Sequence, residues 1–176
     1  MPMRAAYADP PYVGQAKKHY GPEAREVNHE ALINHLENDF DTWALSCSTP
    51  SLHTILPMCP PETRIMAWVK PFCIFKPNVN PAFAWEPVLV KLSDRKRGRE
   101  MPTVRDWIAC NITLRRGLTG VKPDDVCVWL FEVMNLHPED EFTDLFPGSG
   151  AVSAAWENWN PLPSVRKDLP STSRPV

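Results

Sequence analysis

Nowhere in this 176-residue chain is there a run of the ~20 apolar residues that a bilayer-spanning helix requires, because Pro or a charged residue interrupts every hydrophobic stretch. The N-terminal MPMRAAYADPPY has no long apolar segment leading to a small-residue cleavage site, so no secretory signal is read there and the expected location is cytoplasmic. Cysteine is sparse and unpatterned. Cys47, Cys59, Cys73, Cys110 and Cys127 make an odd number without CxxC spacing, which argues against a disulfide framework and a zinc site, so no metal is expected. Their bland reading is as small buried hydrophobes. The net charge of -2 provides no global attraction to polyanions, and any nucleic-acid binding must come from local charge. With 43% hydrophobic and 10% aromatic residues, the chain has material for one core of ordinary size and no room for a second domain.

What is present alternates between strand and helix patterns. The apolar run before Asp9 reads as a buried strand stopped by a double proline. Asn28 is placed to cap a helix over 29–40, with Ala31, Leu32, Leu36 and Phe40 on one face. A strand follows over 43–48, then a short helix closed by Pro60 and Pro61. Residues 64–72 read as a third strand and 83–92 as a fourth, with Pro87 suggesting an irregular start or an edge position. The intervening IFKPNVNPA is a loop. A helix is expected over 104–112 and another from Pro123 to about 136, where Asp124 and Asp125 suit the positive end. Residues 140–146 form a fifth strand, PGSG a turn and 151–159 a helix. The Trp residues within these elements read as core, and His29, His35, His53 and His137 as surface or capping residues. The polar, proline-rich 161–176 reads as a disordered tail. Alternating strands and helices imply a three-layer α/β domain over 1–160 with a mainly parallel sheet, whose ligands bind beyond the carboxyl ends of the strands.

Two of those strand ends carry unusual chemistry. The first is Asp9-Pro10-Pro11-Tyr12. A base amino group is a poor nucleophile, because its lone pair is delocalised into the ring. Asp9 can accept one of its N–H bonds and the Pro10 carbonyl the other, which favours a tetrahedral, reactive nitrogen. The prolines fix the direction of that carbonyl, and Tyr12 offers a face for a flipped-out base. The second is Asp144-Leu145-Phe146-Pro147-Gly148-Ser149-Gly150, where glycines let the backbone approach a ligand and the following helix N-terminus favours a carboxylate. Each motif alone also fits an ordinary strand-to-turn exit. Basic residues supply candidate phosphate contacts: Lys17 and Lys18 just after the first motif, and Arg95, Lys96, Arg97, Arg99, Arg115 and Arg116 within the segment 93–120. Solvated basic loops are the competing reading.

Taken together, the motifs resemble those of the DNA amino-methyltransferases in their permuted order, with DPPY first and FxGxG last. DPPY at 9–12, AWVKPF with Trp68 and Lys70, WEPVLVK with Glu86, and the unit from Lys122 to Gly150 match in chain order, and the likeness spans 4–159. The chain is also similar to a small group of phage and actinobacterial methyltransferase-like proteins. The resemblance implies a Rossmann-like methyltransferase domain that uses S-adenosylmethionine to methylate N6 of adenine in DNA by base flipping and direct transfer. Asp9, Pro10, Pro11 and Tyr12 would be catalytic. Ala8, Asp144, Phe146, Pro147, Gly148, Ser149 and Gly150, with Lys122 and Pro123, would bind the cofactor, and 93–120 would recognise the target. Family members usually add two further strands, the first ending in an acidic residue that holds the ribose. Only about seventeen polar residues follow Trp159 here, so the sheet is expected to lack two edge strands and to leave its cofactor strand at an edge. Asp124, Asp125 and Glu157 are ribose candidates without positional warrant. Completion by a partner chain as a homodimer, RNA or a protein amide as substrate, and a non-catalytic nucleic-acid-binding role on a degenerate fold all stay open.

Overall fold

The computed structural model describes residues 1–14, 21, 23, 25–113 and 121–159. Six strands, β1 (Arg4–Ala8), β2 (Thr42–Ser46), β3 (Arg64–Val69), β4 (Trp85–Lys91), β5 (Trp107–Ala109) and β6 (Glu141–Asp144), form one sheet in the order β5-β3-β4-β2-β1-β6. Four helices, α1 (His29–Asp39), α2 (Leu52–Ile55, flanked by 3-10 turns), α3 (Asp124–Val133) and α4 (Ala151–Asn158), cover it.

Side-chain alternation along the strands sorts the core into two layers. Ala5, Tyr7, Ala44, Val88 and Val90 face α3 and α4, meeting Val126, Leu130, Phe131 and Val152. Ala6, Ala8, Trp43, Leu45 and Leu89 face the opposite way, toward Ile33 and Leu36 of α1 and Ile55. The expected three layers are therefore present. Asn28 caps α1 by accepting the Ala31 N–H at 3.0 Å, but Ile33 rather than Ala31 is the buried member of its apolar face. His29 is also buried, which corrects its reading as a surface residue.

The sheet is less parallel than the alternating pattern implies. β1 pairs in parallel with β2 and β6, and β3 with β5, whereas β4 runs antiparallel to both β2 and β3. The reason is the connection: residues 70–84 contain no helix to carry the chain across a face, so β4 folds straight back along β3. β4 is interior, which also corrects the edge position suggested by Pro87. Pro87 is tolerated because pairing with β2 ends beside it. Its carbonyl still accepts the Cys47 N–H at 3.1 Å, just past the last β2 residue.

The helix expected over 104–112 is instead β5, a short edge strand docked on β3. Its attachment is reinforced by the Trp68 indole, which donates to the Cys110 carbonyl at 2.8 Å. β6 ends the sheet on the other side among the described residues, as expected for the strand leading into the glycine loop. One face of β6 is covered by an aromatic cluster in which Phe131 meets Phe142 at 5.1 Å and Trp156 at 5.3 Å. Trp43, Trp68 and Trp129 are core residues as expected, but Trp85 and Trp107, at the starts of their strands, are exposed. Burial pushes the Cys47 and Cys127 thiols up to about 12, which suits inert packing residues. No helix among the described residues is long and apolar enough to cross a membrane.

Candidate active site

β1 and β6 are neighbours and parallel, with Tyr7 opposite Asp144, so the chain leaves both at the same sheet edge. Asp9-Pro10-Pro11-Tyr12 and the 145–150 loop therefore emerge side by side, and the Leu145 N–H donates to the Tyr7 carbonyl at 2.9 Å. Pairing alone accounts for this convergence of two distant segments.

The glycine loop is shaped for close approach. Gly148 and Gly150 have φ of 48° and 74°, in the left-handed region that side chains disfavour. A Cβ built on Gly150 would meet nothing within 4 Å, so open space lies in front of it. Gly150 is the N-cap residue of α4 and supplies no side-chain cap, which leaves the first N–H groups of the helix available to an anion. Asp144 is largely spent on the loop itself, accepting the Phe146 N–H at 3.3 Å and the Ser153 hydroxyl at 3.2 Å. Burial holds its carboxyl above the ordinary range despite those bonds. These groups suit the carboxylate end of an amino-acid-like ligand. Phe146, Pro147 and Ser149 lie in the same loop and Ala8 ends β1 next to it, so the two predicted motifs share one edge.

Lys122 is where the structure adds most. It sits just before α3 with its side chain 6% exposed, and its ammonium meets Glu86 Oε1 at 2.5 Å and Asp9 Oδ2 at 3.1 Å. Glu86 Oε2 in turn accepts from Lys70 Nζ at 3.0 Å. Both ammonium groups lie over the Trp68 ring, at 4.3 Å for Lys70 and 5.1 Å for Lys122. Lys122 is thus placed against the DPPY carboxylate, whereas Pro123 begins α3 as its N-terminal cap residue. The sequence names Lys70 and Glu86 as matching positions without giving them a role, and nothing local in it signals that they pair.

Electrostatics follow from that geometry. Burial raises the Asp9 carboxyl, Lys122 lowers it, and the nearby Glu86 and Asp144 charges raise it again, for a net upward shift. Burial would also raise Glu86, but Lys122 and Lys70 outweigh it and hold it well below the usual carboxylate range. Burial and the adjacent Glu86 keep the Tyr12 hydroxyl protonated. Asp9 Oδ1 and the Pro10 carbonyl make no hydrogen bond to any described residue. Two acceptors within one tetrapeptide are thus unpaired among the described residues.

Beside Tyr12 opens a cleft of about 540 Å³. One wall comes from the segment after β2, including Ser48, Thr49 and His53; the other comes from the β3–β4 connection and the start of β4, including Phe83, Trp85 and Glu86. A cleft of this size takes a ligand larger than a single ring.

The basic segment divides into two groups. Arg95 forks onto Asp140 with contacts of 2.5 and 2.8 Å, and Arg97 binds Glu132 at 2.6 Å. These two guanidinium groups are already paired within the fold. Lys96 and Arg99 are exposed and have no ion-pair partner among the described residues. Lys17, Lys18, Arg115 and Arg116, and the 161–176 tail, lie outside the described residues.

No protein-family model matches this sequence, and no curated protein matches it. Similarity appears in the fold. The crystal structure of the M1.HpyAVI–SAM complex aligns with a TM-score of 0.59 at 17% identity, covering 90% of this chain and 78% of that one. The crystal structure of M1.HpyAVI aligns at 0.56 and 16%, covering 90% and 76%. The chain therefore shares the mixed α/β fold of the M1.HpyAVI structures over most of its described length.

Proposed function

We propose that this chain is an S-adenosylmethionine-dependent amino-methyltransferase whose substrate is N6 of adenine in DNA. The observation that carries this reading is a pair of acceptors with no hydrogen-bond partner among the described residues, Asp9 Oδ1 and the Pro10 carbonyl, at the end of β1 beside the open glycine loop at the end of β6. The fold shared with a SAM complex supports the cofactor. When bound, the cofactor supplies a sulfonium methyl group. The Gly148–Gly150 turn and the α4 N-terminus would hold its carboxylate end. A flipped adenine lies against Tyr12 in the adjoining cleft. Its two amino hydrogens point at Asp9 Oδ1 and the Pro10 carbonyl, which draws the nitrogen lone pair out of conjugation and toward the methyl carbon. As the N–C bond formed, the methyl–sulfur bond would break and leave a neutral thioether, and the amine proton would pass to Asp9 Oδ1 and from there to solvent. Lys96 and Arg99, with Lys17, Lys18, Arg115 and Arg116, supply phosphate contacts that position the strand without reading its sequence.

The test is incubation of unmodified DNA with methyl-labelled S-adenosylmethionine, followed by nucleoside analysis. N6-methyladenine is the expected product, and its persistence at wild-type rate in Asp9→Ala would refute the assigned role. Competition among DNA, RNA and protein extracts identifies the amine.

One observation favours a second reading, a non-catalytic nucleic-acid-binding module. β6 ends the described sheet, and no described strand beyond it brings an acidic residue to the ribose. Calorimetry with millimolar S-adenosylmethionine, with and without DNA, separates the two, because only the enzyme binds the cofactor.

A further inference from the structure

Glu86 and Lys122 are among the most buried charged residues of those described, yet the two-acceptor scheme requires neither. Side chains of Lys70, Glu86, Lys122 and Asp9 stand in a row of alternating sign, from the cleft to the end of β1, with successive contacts of 3.0, 2.5 and 3.1 Å. Two cations and two anions make the row neutral, which is the condition for burying it. Its spacing is uneven in an informative way. The ammonium of Lys122 lies closer to Glu86 than to Asp9.

A lysine that belonged to Asp9 alone would neutralise it. A carboxylate locked to a full ammonium in a low-dielectric site is a weak acceptor for the N–H of a neutral amine. With no cation at all, the half-buried Asp9 would take up a proton and stop accepting. Sharing the ammonium avoids both outcomes.

We propose that Glu86 is a positioning residue for the transfer step: it draws the Lys122 ammonium partly off Asp9, so that the Asp9 Oδ1 which Lys122 keeps ionised remains a strong acceptor for the substrate amine. This inference rests on the methyltransferase reading above and adds Glu86 to the machinery. The groups that face Asp9 are Lys122 from the segment before α3, Glu86 from β4, Asp144 from β6, and Tyr7 from β1, with Tyr12 beyond and Lys70 behind Glu86.

The experiment uses the full chain and two readouts, single-turnover methyl transfer to DNA as a function of pH and the carbon-13 titration of the Asp9 carboxyl. In Glu86→Gln the shape of the side chain is kept and its charge removed, so Lys122 closes on Asp9. The Asp9 midpoint then falls, the acid limb of the pH profile follows it down, and the transfer rate drops by about 10- to 100-fold, the range seen when a group that supports a metal ligand is lost. Cofactor KM stays unchanged. Glu86→Asp, which retains the charge, recovers most of the rate. Lys122→Met shifts the Asp9 midpoint the opposite way, upward. If that variant does not fold, Glu86→Gln and Glu86→Asp decide alone. An Asp9 midpoint that stays or rises in Glu86→Gln, a rate within twofold of wild type, or failure of Glu86→Asp to recover activity overturns the proposal. Absence of methyl transfer by the wild-type chain to DNA, RNA and protein extracts is a different result: it overturns the methyltransferase reading itself.

Discussion

Tyr7 and Asp144 stand opposite one another in parallel register on β1 and β6, two strands drawn from opposite ends of the chain. Parallel strands leave a sheet in the same direction, so this one pairing places the carboxylate after β1 beside the glycine turn after β6. The geometry of the proposed site is inherited from strand pairing.

Removing the Asp9 acceptor should therefore abolish transfer while sparing the cofactor pocket. Asp9→Ala is expected to lower the single-turnover rate by roughly 100-fold or more, the scale seen when a preorganised polar group is lost. S-adenosylmethionine affinity should change little, because the glycine turn lies on the neighbouring strand. Label incorporation into DNA and calorimetry measure the two quantities separately. Equal losses in both would contradict this division of labour.

The glycine turn makes a second prediction. Gly148 and Gly150 occupy left-handed backbone with room for a Cβ, so alanine at either position meets no clash and bears only the conformational cost. That cost is about 1 kcal/mol each, and in a chain of this size it lowers the melting temperature by about 2–4 °C. The added methyl at Gly150 also enters the open space proposed to take the cofactor, so cofactor affinity should fall more than stability does. Melting curves with and without cofactor check both.

Asp140 ties the fold together away from the site. Its buried carboxylate takes both forks of Arg95, the Met3 N–H at 2.7 Å and the His137 N–H at 2.8 Å, joining the starts of β1 and β6. Asp140→Ala strands Arg95 and should cost about 3 kcal/mol or more. Burial pushes the Asp140 carboxyl up, but the bonds from Arg95, Met3 and His137 overcome it and hold the pKa below the ordinary value. A depressed folded-state pKa contributes stability that is complete above the unfolded value of about 3.9 and is lost as pH falls through the folded one. Urea midpoints of the wild type should thus fall below about pH 4, and the Asp140→Asn curve should be flatter there.

Salt dependence distinguishes the basic residues. Lys96→Ala and Arg99→Ala should each reduce the slope of log affinity for DNA against log salt by about 1. Arg97→Met should leave that slope nearly unchanged and cost stability instead. The Arg97–Glu132 pair is only partly buried, so the loss is about 1 kcal/mol or less. Binding titrations at four or five salt concentrations suffice.

Much of this was legible locally. Asn28 before an amphipathic run, Pro123 before a pair of aspartates, and the double proline after Ala8 are short-range signals, and the elements they mark are present, although α3 stops at Val133, short of the expected end near 136. Other features depend on what a segment packs against. Residues 107–109 extend as a strand because β3 has a free edge to receive them, and local pattern favoured a helix instead. Pro87 sits inside the sheet because β2 stops where its missing N–H would matter. Arg95 and Arg97 read as a phosphate strip in sequence, and only their placement over Asp140 and Glu132 shows where their charges are used.

The two chemical motifs, the Asn28 cap and the alternation of apolar residues are readable along the chain, since each depends on neighbours a few positions apart. Tertiary structure alone decided that β4 runs backwards, that the DPPY and glycine segments share an edge, and that Lys122 is shared between Asp9 and Glu86. Those outcomes are set by strand order and by contacts between residues far apart in the chain, and a charge carries no mark in sequence of the partner that burial will give it.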